Sequence, residues 1–121
     1  CIRNNSTKKE VKAYMVFNTG AALLDAIVLA VVSKEAEGTY GYKITQDVRK
    51  AIDVSESTLY PILKRLEANN YVETYSVEHN SRLRKYYKIT NTGKERIKEF
   101  LDDWKEVMKI YYFIKGENLN D

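Results

Sequence analysis

Residues 54–71, VSESTLYPILKRLEANNY, constrain this chain more than any other stretch. Leu59, Ile62, Leu63 and Leu66 fall at i, i+3, i+4 and i+7, the apolar stripe of one helix face. The opposite face carries Ser57, Thr58, Pro61, Lys64 and Arg65. Ser55 suits an N-cap, because its hydroxyl oxygen can accept an otherwise unpaired N–H of the first turn. Small hydroxyls at the start of a helix and cations farther along match a nucleic-acid major groove. The hydroxyls, with Tyr60, reach base edges or nearby phosphates while the cations hold phosphates. Taken alone, the same stretch also describes an ordinary amphipathic surface helix, so its neighbours decide.

Upstream, the run GTYGY places Gly38 and Gly41 at a turn, where both can take positive φ. Tyr42–Ile52 then reads as a helix with Ile44, Val48 and Ile52 on one stripe, and Asp53-Val54-Ser55 makes a short connection. That order is a helix-turn-helix. Tyr42 and Lys43 would brace the earlier helix against a backbone. Pro61 lies past the first turn of its helix, where it forfeits a hydrogen bond, so a kinked or loosened first turn is expected. Downstream, Tyr71–Val77 and Leu83–Ile89 are rich in β-branched and aromatic residues around a turn at EHNSR. They predict a β-hairpin bearing Arg82, Arg84, Lys85 and Lys88, which must pack on the helices to be stable, and of these Arg82, Arg84 and Lys85 would bind phosphates. A helix-turn-helix followed by a basic hairpin is a winged helix. The fold class expected is therefore α+β, mainly α.

Ala21–Ala36 is apolar on nearly every face, which implies burial all round and, in a chain this small, a second subunit. Asp25 interrupts it, either as a hydrogen-bonded interface carboxylate or as a polar anchor in a cavity. After Thr90 or Thr92 as cap, a last helix runs to about Lys115. Ile97, Trp104 and Tyr111 repeat at seven, as do Phe100, Val107 and Ile114, which together make a coiled-coil seam. The simplest partner is the same helix of a second copy, and two winged helices on a two-fold axis suit a palindromic duplex. The organisation expected is a tail or helix start over 1–19, a winged helix over 20–90, a dimerisation helix over 91–115 and a polar tail over 116–121. Because the chain begins on Cys1, a processed or added start is expected for its first residues, with Met15 as another start.

Composition narrows the partners. Residues 41–98 hold 12 Lys/Arg against 7 Asp/Glu, whereas the remainder holds 8 against 10. Positive charge thus gathers on the groove-facing elements, as a polyanion-binding surface requires. No apolar run reaches the roughly 18–20 residues of a membrane span. A single cysteine and no signal-peptide pattern point to the cytoplasm. The sequence has no phosphate-binding glycine loop and no nucleophile elbow. The one histidine, His79, falls in the hairpin turn with no second metal ligand nearby. No enzyme activity, metal or cofactor is expected.

Together LLDAIVLAVV, YGYKI, STLYPILKRLEANNYVE and RKYYKITNTGKE resemble the PadR family of transcriptional regulators, over about residues 20–115. The short chain with one C-terminal helix is similar to the small subclass that includes multidrug-binding repressors. The resemblance implies a homodimeric winged-helix repressor. Where family members often carry Gly after the recognition helix, this chain has Asn69-Asn70, and Asn tolerates the left-handed conformation a helix end needs. The resemblance further implies that Trp104 faces its mate across a central cavity and sandwiches a flat aromatic ligand. Ala22, Asp25, Ala26, Leu29, Phe100, Val107 and Met108 would be its neighbours, with Asp25 attracting a cationic drug. Alternatively Trp104 is plain seam packing. A reading of another class also stands, in which the winged helix is a protein–protein adaptor module and the wing cations only aid solubility.

Overall fold

The computed structural model describes residues 20–117; the expectations for residues 1–19 and 118–121 lie outside it. Residues 24–97 form one compact unit, and the described residues 20–23 and 98–117 belong to a second. In chain order the elements are α1 (Gly20–Ser33), β1 (Thr39–Tyr40), α2 (Gly41–Ala51), α3 (Glu56–Ala68), β2 (Val72–His79), β3 (Arg82–Ile89) and α4 (Asn91–Lys115). The strands make one antiparallel sheet in the order β1-β3-β2. This is a winged helix.

The core of the larger unit is built from the stripes that periodicity picks out. Leu59, Ile62, Leu63 and Leu66 of α3 are buried with Ile44 and Val48 of α2 and Val28, Leu29, Val31 and Val32 of α1. Burial of this kind stabilises by about 25 cal/mol for each Å² of apolar surface removed from water. Val72, Tyr87 and Ile89 close the core from the sheet side. α1 stops at Ser33, short of Ala36, and is followed by a turn in which the Gly38 N–H donates to the Glu35 carbonyl at 2.9 Å. Ile52, expected in the helical stripe, is the extended C-cap of α2 and still packs on the core.

α3 begins and ends by local chemistry. Its C-cap region is a Schellman motif: the Tyr71 N–H donates to Leu66 O at 2.9 Å and the Asn70 N–H to Glu67 O at 3.0 Å. Asn70 takes φ 67°, the left-handed value anticipated for it. The helix runs unbroken through Pro61. The Ser55 carbonyl accepts from both the Thr58 N–H (3.1 Å) and the Leu59 N–H (3.3 Å), so the first turn is tightened and anchored at its start.

The hairpin is tighter than the sequence suggests. The strands pair from Val72↔Ile89 to His79↔Arg82, leaving Asn80 and Ser81 alone in the loop. Both have positive φ, 52° and 66°, the two-residue turn whose twist matches the strands. His79 is therefore the last strand residue, not a turn residue. β1 was not foreseen: Thr39 and Tyr40 pair with Tyr87 and Tyr86 where a plain turn was expected. Of the two glycines flanking it, Gly38 has positive φ, 113°, and Gly41 does not.

Thr90 resolves the choice of cap for α4. Its Oγ1 accepts the Gly93 N–H at 2.9 Å, and its carbonyl accepts the Lys94 N–H at 3.0 Å. Ile97, assigned by heptad spacing to the intersubunit seam, is half-buried and packs on the core of its own unit. Beyond it, Leu101, Ile110, Tyr111, Phe113 and Ile114 are each more than half exposed. Among the described residues, no helix is long and apolar enough to cross a membrane.

Candidate nucleic-acid interface

The solvent face of α3 collects the hydroxyls in its first turn. The Ser55 hydroxyl accepts the Thr58 N–H at 3.3 Å and lies 2.9 Å from the Ser57 hydroxyl and 3.0 Å from that of Thr58. All three residues are exposed, as are Tyr60 and Lys64 farther along the same face. The cap that starts the helix thus also gathers three hydroxyls, each with donor and acceptor capacity left over for base edges or phosphates.

Beside this turn lies a groove of about 580 Å³ lined by Tyr40, Gly41, Tyr42, Tyr60, Arg84, Lys85 and Tyr87. β1, the start of α2, α3 and the wing strand β3 all contribute to it. Tyr60 closes against Gly41, where an added Cβ would sit 3.1 Å from the Tyr60 ring. Tyr42 is 61% exposed at the rim. Burial pushes the Tyr87 hydroxyl above its ordinary pKa, so it stays a neutral group at the groove floor. At the wing tip, His79, Asn80, Arg82, Leu83 and Arg84 line a second hollow of about 430 Å³.

The cations divide into two sets. Lys64, Arg82 and Arg84 have no carboxylate partner among the described residues, and the Arg84 guanidinium lies 4.2 Å from the centre of the Tyr40 ring. Three others, expected to hold phosphates or brace the backbone, are already paired. Arg65 is bound to Asp25 of α1. Lys85 donates to Glu67 at 3.1 Å, and Glu67 also accepts from the Thr74 hydroxyl at 3.0 Å. The hydrogen bonds from Lys85, first, and Thr74 hold the Glu67 carboxyl below its ordinary pKa, and the bond to Glu67 raises that of Lys85. Lys43 donates to Asp47 at 2.9 Å and Glu35 at 3.3 Å, which raises its pKa, Asp47 having the larger effect. A phosphate would have to displace a carboxylate to engage any of these three.

Of the residues expected to line a ligand cavity, Asp25, Ala26 and Leu29 belong to the larger unit and Ala22, Phe100, Trp104, Val107 and Met108 to the second. Leu29 is fully buried in the core and offers no surface to a ligand. Asp25 is engaged by Arg65, the hydrogen-bonded alternative of its two readings, though its partner is within its own chain. Ala22 and Ala26 are half-buried. In the second unit Phe100 is buried and stacks on Trp104, with ring centres 5.8 Å apart and planes at 17°. One neighbour of the Trp104 indole is therefore a residue of its own helix. Val107 and Met108 are half-buried, and Tyr111 and Ile114 are exposed. Among the described residues, no cluster of three His, Cys, Asp or Glu could hold a metal.

Sequence reasoning missed Tyr40, Tyr87 and Glu67. Tyr40 was hidden in a run read as a turn. The alternation of Tyr75 and Tyr86 with polar residues was the available signal that one sheet face carries aromatics needing a neighbour.

Comparison with known proteins gives a consistent picture. Residues 28–99 match the model of the family described as "Transcriptional regulator PadR-like family". The crystal structure of smu.1704 from Streptococcus mutans UA159 is 39% identical, with TM-score 0.69 over 84% of this chain and 94% of that one. A PadR family transcription regulator from Clostridium difficile R20291 is 29% identical, with TM-score 0.67 over 77% and 98%. Bacillus subtilis PadR, solved in complex with operator DNA, shares the fold at 23% identity and TM-score 0.59, over 65% of this chain and 46% of that one.

Proposed function

The chain belongs to the PadR-like family of transcriptional regulators, and on that premise we propose that it acts as a homodimeric, sequence-specific DNA-binding repressor. The observation that carries this reading is the groove in which Tyr60 of α3 and Tyr42 of α2 meet Arg84 of the wing, with the exposed hydroxyls of Ser57 and Thr58 in the first turn of α3. In the complex, the first turn of α3 enters the major groove, where Ser57, Thr58 and Tyr60 meet base edges or adjacent phosphates. Ser55 holds that turn in shape. Arg82 and Arg84 run along the neighbouring backbone, and Tyr42 braces α2 against it. Arg65, Lys85 and Lys43 join by partner exchange, each leaving its carboxylate for a phosphate. The operator complex of the B. subtilis relative supports the same use of the fold.

Dimerisation through Trp104, Val107, Tyr111 and Ile114 of α4 would set two recognition helices about 34–36 Å apart, one turn of DNA. A flat aromatic ligand stacking at Trp104 would alter that spacing, and coupling of about 1–3 kcal/mol is enough to release an operator. The test is binding to the duplex upstream of the protein's own gene, beside a scrambled duplex, across about 50 to 200 mM salt. Preference for the native duplex that persists at the higher salt is expected. Arg84→Ala is expected to weaken all duplexes alike and flatten the salt slope by about one. Absent or salt-insensitive binding would instead favour a protein–protein adaptor.

A further inference from the structure

The outer face of the sheet carries an aromatic ladder that the core does not need. Tyr75 and Tyr86 stack with centres 5.4 Å apart and planes at 15°, and Tyr40 meets Tyr86 edge-on at 5.6 Å. The Tyr75 hydroxyl donates to the Glu37 carbonyl, and Gly38, at φ 113°, leaves the room a Cβ would take from that hydroxyl. The ladder ends at Tyr40, over whose ring the Arg84 guanidinium lies. Tyr40 is also the N-cap of α2, and its side chain makes no cap hydrogen bond there. Ser, Thr, Asp or Asn would serve a helix better at that position. The ring is placed for a different contact.

We propose that Tyr40 is a positioning residue for DNA binding: its ring face fixes the Arg84 guanidinium at the mouth of the groove beside α3. The inference rests on the DNA reading above. A free arginine side chain must be ordered before it can grip a phosphate, and a carboxylate that ordered it would occupy its N–H donors and cancel its charge. A ring does neither, because stacking uses the guanidinium face and leaves its N–H edge open. Lys85 and Arg65 show the contrast, since both are ordered by carboxylates. The ladder orders Tyr40 in turn.

Two measurements on the full chain test this. In the free protein, the Arg84 side-chain N–H proton should resonate upfield under the ring in wild type and Tyr40→Phe, and lose that shift in Tyr40→Leu. Binding is then measured at about 50 mM salt to a mixed-sequence duplex, since phosphate contacts do not depend on sequence. Tyr40→Phe should bind as wild type, and Tyr40→Leu about two- to fivefold more weakly. With Arg84→Ala already in place, Tyr40→Leu should cost nothing further, whereas damage to the fold would add to it. Additive losses, failure of Phe to substitute for Tyr, or an unshifted Arg84 proton in wild type would overturn the proposal. If the proton is shifted but wild type binds no duplex, the DNA reading fails and the functional role of Tyr40 falls with it, although the contact stands.

Discussion

Gly93 stands buried in the first turn of α4. A Cβ there would collide with the Tyr71 carbonyl oxygen and lie 2.8 Å from Ile89 Cγ1. That carbonyl cannot retreat, because it accepts the Thr90 N–H at 3.0 Å and lies 3.0 Å from the Thr90 hydroxyl, which donates to Asn70 O at 2.7 Å. Gly93→Ala must therefore push α4 away from the base of the sheet. Overpacking of this kind costs about 1–3 kcal/mol. Urea unfolding should show a lower midpoint with an unchanged slope. A midpoint equal to wild type would mean that the junction yields more easily than its hydrogen bonds imply.

Among elements, α3 depends on its two ends, and the wing on one clamp. Removing the cap with Ser55→Ala should cost about 1 kcal/mol. The same change frees the Ser57 and Thr58 hydroxyls from their common neighbour, so duplex binding should suffer beyond the stability loss. A variant that loses stability but keeps full duplex affinity would detach the hydroxyl cluster from recognition. Glu67 ties α3 to both wing strands through Thr74 and Lys85. Its depressed pKa means that its contribution is complete above the ordinary carboxylate value of 4.5 and is lost as pH falls through the lower, folded-state value. Lys85 behaves oppositely, its contribution persisting until pH rises past 10.5. With Lys85 half exposed, the pair supplies about 0.2–1 kcal/mol at most. The stability gap between wild type and Glu67→Gln should therefore be small at neutral pH and shrink in acid, as melts at neutral pH and about pH 3 would register. A gap that widens in acid would contradict the assignment.

For the molecule as a whole, the exposed apolar residues of α4 are the outstanding feature. Phe113 and Ile114 are 82% and 78% exposed, and Leu101, Ile110 and Tyr111 are more than half exposed. Patches of this kind mark association surfaces. They extend past the two heptad rows, since Leu101, Ile110 and Phe113 belong to neither. A second copy covering them would also double the basic face presented to DNA. Sedimentation equilibrium should find a dimer, and Tyr111→Lys with Ile114→Lys should shift it to monomer. The monomer should then lose the roughly hundredfold or greater gain that two linked half-sites provide. A wild-type monomer that still prefers one duplex would sever recognition from dimerisation.

What the chain determined by itself is what neighbours in sequence can enforce. The Leu59/Ile62/Leu63/Leu66 stripe, the Ser55 cap and the left-handed Asn70 all follow from periodicity and from hydrogen bonds a few residues long. The winged-helix order of elements follows from them. Tertiary structure decided whatever joins distant positions. Asp25 meets Arg65 across 40 residues and Lys85 meets Glu67 across 18, so neither pairing is written in any local pattern. β1, two residues long, has no period to read and exists only because β3 offers it an edge. Ile97 packs on the core of its own unit, a contact that heptad spacing along one helix cannot show. Composition placed positive charge near the groove; only packing decided which cations remain free to use it.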